Sequence, residues 1–486
     1  MQMDNFVVCS KALLKLLGQC LAKGTVCTLS GVIILSAAFP GLAQDVRPGG
    51  EDPQGVEAPL GAEEPEEELP TDEIEDDELD PRTILREERE RRERIENLSR
   101  AQPNIPQEGA VLAGPNVPPG LLPTGGLRYG RLVFSPRATV GAVLTDNANG
   151  DDDNREDEVI LGLNTSVRAD TLLPRHALGA QVNVTAGSTL EDTEDDFLNW
   201  EAGVDGRFDL TRQSSLNAAV NGSLFREADT SAEAEDDDDA EVSNIAASTG
   251  YVFDGRVWDF SLAGITDFEE FSGDDTDERD NVSYTLISRL AYRLGDRTSI
   301  FVSPQYTLNE FDGIGDEGQD RDSTELTGVV GMDVQLRPRL TLGGSVGYSQ
   351  AFFEDPDLEE NGAVVGALDA RYAYDARTTF QLSANREIDV TTVDEAATET
   401  STVVNTRATR LLTPKHAVSA QAIYANNDFD DGDRVDHDIT GALAYFFRFD
   451  QNLIFNLGYQ YFTRFSDEDN EEFDENQVFI GLTVAY

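Results

Sequence analysis

The sequence predicts an all-β fold: a transmembrane antiparallel up-and-down β-barrel of about eighteen strands, with sixteen as the nearest alternative count. Three observations carry this. Apolar and polar residues alternate with period two from Leu127 to the C-terminus, which is the pattern of a strand with one apolar face. Tight turns bearing a basic residue recur: Arg175, Arg212, Arg256, Arg297, Arg339, Arg377 and Lys415, and then the Asp450-Gln451-Asn452 turn. Longer acidic segments fall between them, at 146–157, 191–196, 228–241, 271–281, 312–323, 354–361, 391–399, 427–437 and 465–475. Each repeat is therefore strand, acidic loop, strand, tight turn. An even number of strands, with short turns at one end and long loops at the other, matches transmembrane barrels.

A propeller also repeats near forty residues, but with four short strands per blade. Here each repeat holds two strands of about a dozen residues, close to the roughly 9–11 that a tilted strand needs to cross a bilayer. The strands run from about 129–145 to 476–486. On the terminal strand Val478, Ile480, Leu482 and Val484 share one face and the chain stops on Tyr486. This pattern resembles the terminal targeting strand of bacterial outer-membrane barrels, so these five residues are the expected assembly signal.

Ahead of the strands lie three further regions. Residues 1–43 carry Lys11, Lys15 and Lys23, an apolar run from Thr25 to Phe39, and Gly41-Leu42-Ala43 as a small-x-small cleavage site. They are expected to be a secretory signal peptide, with an uncleaved anchor as the alternative. All three cysteines (Cys9, Cys20 and Cys27) fall within it, so cleavage would leave neither disulfide nor thiolate chemistry. Residues 44–81 are rich in Glu, Asp and Pro and are expected to be disordered. Residues 82–126 divide into a short charged helix over 82–100, supported by Glu–Arg pairs four apart, and a Pro/Gly-rich linker. With both barrel ends on the tight-turn side, 44–126 is expected in the periplasm, and the sequence leaves open whether 82–126 enters the lumen as a plug. Residues 127–486 form the barrel.

The two faces of each strand differ in chemistry. In 453–463 one face is Leu453, Phe455, Leu457, Tyr459 and Tyr461, and the other is Ile454, Asn456, Gly458 and Gln460. Placing Arg at the midplane of a lipid face costs on the order of 2–4 kcal/mol. That cost assigns Arg137, Arg168, Arg207, Arg289, Arg371, Arg407 and Arg448 to the lumen, where Glu201, Asp205, Asp333 and Asp369 join them. A hydrated pore and an interior closed by salt bridges both satisfy this pattern. Tyr251, Phe253, Tyr372, Tyr374, Phe447 and Phe449 cluster near tight turns, as a periplasmic aromatic girdle would. Arg386 shares the phase of Phe380, Leu382 and Ile388, so it must sit near a rim or the register must slip. Pro136 and Pro304 lie within strands, where a missing N–H predicts bulges.

The formal net charge is -56, from 93 acidic and 37 basic residues, which repels nucleic-acid phosphate. No catalytic constellation is evident. His176 and His416 occupy equivalent turns, and His437 lies between two aspartates, away from any recognisable serine motif. No metal site, cofactor or enzymatic activity is therefore expected. The acidic loops lack the spacing of a helix-loop-helix calcium site, although weak divalent-cation binding at the surface is one reading of them.

Gly126-Leu127-Arg128 leads into Phe134-Ser135-Pro136, Val140-Gly141 and Thr145-Asp146-Asn147. With the hairpin texture and the terminal Tyr486, this resembles the putative beta-barrel porin 2 family of Gram-negative bacteria over roughly 125–486. The resemblance implies an outer-membrane location and a porin-like or exopolysaccharide-secretion role, with no catalytic residues to carry over. Segment 44–81 is not part of that pattern. The expected partners are outer-membrane lipid and lipopolysaccharide, the barrel assembly machinery, and a polysaccharide export complex if the secretion reading holds.

Overall fold

The computed structural model describes residues 114–486, apart from 124, 153–154, 191–195, 229–239, 273–278, 313–318, 338, 357, 393–395, 431–433 and 468–470. The expected leader, acidic segment and charged helix lie outside the described residues.

A three-residue strand, β1 (Leu127–Tyr129), precedes the barrel strands. These are β2 (Leu132–Thr145), β3 (Glu158–Thr171), β4 (His176–Thr189), β5 (Phe197–Asp209), β6 (Ser214–Arg226), β7 (Glu241–Asp254), β8 (Trp258–Ser272), β9 (Asn281–Gly295) and β10 (Thr298–Phe311). They continue as β11 (Ser323–Arg337), β12 (Leu340–Phe353), β13 (Asn361–Ala373), β14 (Thr378–Val390), β15 (Thr398–Thr413), β16 (His416–Asp430), β17 (Val435–Arg448), β18 (Leu453–Ser466) and β19 (Phe473–Ala485). Each pairs antiparallel with its sequence neighbours, and β19 closes on β2 with Gly481 opposite Gly141 and Ala485 opposite Arg137. The result is a closed antiparallel barrel of eighteen strands, while β1 pairs only with the start of β2. Closure removes the exposed sheet edge that an open sheet would present.

The alternation sorts the side chains. Along β17, Leu443 is 62% exposed while Phe446, on the opposite phase, is fully buried. Val140, Leu198, Val204, Val220, Val330, Val364 and Ile480 are exposed in the same way. Large aliphatic side chains left uncovered in so regular a band are what a hydrocarbon-facing surface requires. Among the described residues no helix is long and apolar enough to cross a membrane; strands of this barrel do the crossing.

The tight turns are held by side-chain caps. Arg377 N–H donates to Asp375 Oδ1 at 2.7 Å, and Asn452 N–H donates to Asp450 Oδ1 at 2.8 Å, as Asx turns do. Aromatic rings gather beside these turns. Tyr372 packs near Tyr374 and Phe380, Phe447 lies 4.7 Å from Phe449, and Trp258 lies 4.6 Å from Tyr292. The two turn histidines repeat one arrangement, with His176 against Phe208 and His416 against Phe447.

The bulges expected at the two prolines do not form. Pro136 stays in register opposite Val167, and Pro304 stays opposite Gly328. Both absences have local causes. Tyr486 N–H donates to Pro136 O at 3.1 Å, so Pro136 keeps its bond to the neighbouring strand as an acceptor. At Pro304, the Ser303 hydroxyl donates to Ser288 O at 2.8 Å, which supplies the donor that the proline cannot. Arg386 causes no register slip either. It stays on the phase of Phe380, four residues from the loop end of β14, and donates to Val364 O at 3.1 Å and Thr402 Oγ1 at 2.6 Å.

Candidate functional site: the inner wall

The wall facing the axis is the phase opposite the exposed aliphatics, and its chemistry follows from strand parity. Arg137, Arg168, Glu201, Asp205, Arg207, Arg289, Asp333, Asp369, Arg371, Arg407 and Arg448 all lie on this phase by register. Several of them meet. Arg168 bonds Asp170 at 3.2 Å, Asp205 at 3.0 Å and Gln181 at 2.8 Å. Arg207 bonds Asp209 at 3.1 Å. Arg289 bonds Asp333 at 2.5 Å and lies 4.0 Å from the Phe301 ring. Arg407 donates to Gln421 at 2.7 Å. Glu201 accepts a 3.3 Å bond from Gln181. Asp369 and Asp333 flank Gly343, each opposite it in register. Arg371 lies between Thr341 and Gln381.

A second set of arginines stands at the loop end. Arg155, Arg279, Arg321 and Arg434 are the lone arginines of acidic segments 146–157, 271–281, 312–323 and 427–437. Arg155 bonds Asp152 and Asp474, each at 2.5 Å; these two carboxylates hold its guanidinium well above its ordinary pKa. Arg279 is buried, bonds Glu227 at 3.0 Å and lies 4.1 Å from the Phe271 ring. Arg321 donates to Thr391 O and, at 2.8 Å, to Ala396 O. Arg434 bonds Asp436 at 2.8 Å and Glu471 at 2.9 Å. Each ties one loop to another part of the mouth. Sequence reasoning passed over them, though a single guanidinium in a run of carboxylates was a usable signal.

The Thr145-Asp146-Asn147 motif has a structural role at the seam. Asp146 accepts from Asn476 N at 2.7 Å and Asn476 Nδ2 at 2.9 Å. Asn147 Nδ2 donates to Asp474 O at 2.9 Å, and Thr145 donates to Glu475 at 2.5 Å. The end of the first barrel strand thus clasps the start of the last. The expected assembly residues Ile480, Leu482, Val484 and Tyr486 are exposed on the outer side. Their neighbour Phe479 points the other way, into a buried cluster with Val143, Ile160 and Phe197.

The described part of the linker is also on this inner wall. Val117 and Leu121 are buried against Ala417, Phe446 and Ile454. Arg448 Nη1 donates to Leu121 O at 3.4 Å. This stretch runs along the wall inside the barrel, the lumenal entry that the sequence left open for 82–126. Among the described residues no group of His, Cys, Asp and Glu is arranged to hold a metal ion.

Residues 122–486 match the model of the family described as Putative beta-barrel porin 2. The chain belongs to this family. Its fold is that of a porin-like outer-membrane β-barrel. No curated protein matches the chain. Similar solved structures include the siderophore receptor PirA from Pseudomonas aeruginosa, at 10% identity and TM-score 0.40 over 75% of this chain and 81% of that one. OccAB4 from Acinetobacter baumannii matches at 11% identity and TM-score 0.40, over 73% and 98%. The outer membrane protein opdK from Pseudomonas aeruginosa matches at 10% identity and TM-score 0.42, over 73% and 99%.

Proposed function

We propose that the barrel is a passive, non-enzymatic channel for small hydrophilic solutes in the outer membrane, and that it favours cations. Its tight turns face the periplasm and its acidic loops the exterior. Barrels of sixteen to eighteen strands enclose enough space for an aqueous path. The observation that carries the reading is the charge of the inward phase. On β8 it presents Asp259, Asp267 and Glu269 with no arginine; on β11, Glu325 and Asp333; on β14, Glu387 and Asp389. On β5, Glu201, Asp205 and Asp209 outnumber Arg207. A low-dielectric wall focuses such a field and concentrates counter-ions, and rings of carboxylates select cations in pores.

Purified full-length protein in planar bilayers tests this. Under a potassium chloride gradient the reversal potential should carry the sign of cation preference. The preference should weaken as salt rises from about 0.1 M to about 1 M, because the screening length falls from roughly 10 to 3 Å. An anion-selective current, or folded protein with no current, refutes the proposal.

A further inference from the structure

A hydrated wall does not ordinarily present phenylalanine, isoleucine and leucine. Yet on the inward phase Phe446, Ile454, Ala417 and Leu411 form one apolar patch, and what covers it is Val117 and Leu121. The covering stretch is held at several heights. Near the tight-turn end Gly120 lies against Leu411 so closely that a Cβ there would come within 2.6 Å of it. A turn closed by Leu121 N–H on Pro118 O at 2.9 Å presents Leu121 to the patch. Higher up, Pro115 packs over Gly458, and Gly114, at φ +70°, lies under the Phe479 ring, where a Cβ would meet it at 2.8 Å. From Ile454 to Gly458 the stretch climbs four residues of β18, roughly 13 Å at about 3.3 Å per residue.

We infer that residues 114–122 are a lumenal strap that narrows the channel and sets the size of solute it passes, with Val117 and Leu121 as its anchors. The inference rests on the channel reading above. The placement is favoured because an extended, proline-bearing stretch has few free N–H groups to satisfy, while its two aliphatic anchors remove both themselves and the wall patch from water. Across the ring from β16–β18 stand β7–β9, and there the inward phase of β8 presents Asp259, Asp267 and Glu269. The strap therefore confines solute to the side that carries these carboxylates.

Two readouts test it on full-length protein in liposomes. Ala417 is fully buried under the strap. An Ala417→Cys variant should react slowly with a membrane-impermeant maleimide, and at least about tenfold faster once Leu121→Asp is added, because one of the two aliphatic anchors no longer holds the strap down. Leu121→Ala, which introduces no charge, should give a smaller acceleration; unheated gel mobility confirms that each barrel has folded. In planar bilayers, Val117→Asp with Leu121→Asp should raise the single-channel conductance, and liposome swelling should admit larger sugars. Equal labelling with and without Leu121→Asp overturns the strap while leaving the channel intact. Faster labelling with unchanged conductance overturns the narrowing. If wild type and variant are both silent, the channel reading falls and the narrowing falls with it, although labelling still reports whether the wall is covered.

Discussion

Phe479→Ala should be among the most damaging single changes in the last strand. The ring is buried and lies over glycines: a Cβ at Gly141 would come within 2.7 Å of it, and one at Gly481 within 2.6 Å. It also packs with Val143, Ile160 and Phe197, all three on strands across the β2–β19 seam. Truncation leaves a void that glycine backbones cannot fill by moving side chains. Phenylalanine-to-alanine changes at packed sites cost about 3–5 kcal/mol. The lower end applies here, because water from the lumen enters the void, so about 3 kcal/mol is expected. Val478→Ala, one residue away on the outer phase, removes two methyl groups at about 0.8 kcal/mol each, so about 1.5 kcal/mol. The assay is guanidinium unfolding from liposomes, followed by the fluorescence of Trp200 and Trp258. A Phe479→Ala loss below about 1 kcal/mol, or one no larger than that of Val478→Ala, refutes the reasoning.

Asp146→Ala removes both acceptors for Asn476 and should cost about 2–3 kcal/mol at the seam, seen as a lower melting temperature on heat-shift gels. An unchanged midpoint would show that the clasp does not hold the closure. Arg279→Met strands the buried Glu227 and should cost about 3–5 kcal/mol, with much of it recovered in the double variant carrying Glu227→Gln; no recovery contradicts the pairing. Ser303→Ala should cost about 1–2 kcal/mol by leaving Ser288 O without a donor beside Pro304, measured by the same unfolding titration. The Asp375 carboxylate is held below its ordinary value, chiefly by the Arg377 backbone N–H. A depressed native pKa contributes stability that is present above the unfolded value of about 3.9 and is lost as pH falls through the native value. Asp375→Ala should therefore lower the unfolding midpoint at neutral pH and converge with wild type in strong acid; a constant difference across pH contradicts this.

Strand number, strand order and facing were legible in the sequence because period two states them directly: Leu453, Phe455 and Leu457 against Ile454, Asn456 and Gly458. The charged residues fall on the phase opposite the exposed aliphatics, as the exclusion of guanidinium from hydrocarbon led the sequence to suggest. Several features were not legible. Alternation assigns Phe479 to a face but not to a neighbour, and its glycine bed comes from three separate stretches, at 114, 141 and 481. The proline outcome depended on what lay beside each missing N–H, the Tyr486 N–H bonded to Pro136 O in one case and the Ser303 hydroxyl in the other, which is knowledge of register. The arginines in the acidic segments looked like solvated charge because their partners, such as Glu227 for Arg279 and Asp474 for Arg155, are remote in sequence. Residues 114–122 carry no periodicity, so nothing local distinguished a linker in water from one lying along a wall.

One phase of these strands meets hydrocarbon and the other meets water. Spin labels placed one at a time on cysteines along β9, from Val282 to Arg293, test it directly in liposomes, by collision with oxygen dissolved in lipid and with a nickel chelate dissolved in water. Oxygen maxima should fall at Tyr284, Leu286, Leu290 and Tyr292, and chelate maxima at Ser283, Thr285, Arg289 and Arg293. Uniform accessibility along the strand, or an alternation of the opposite sense, contradicts it.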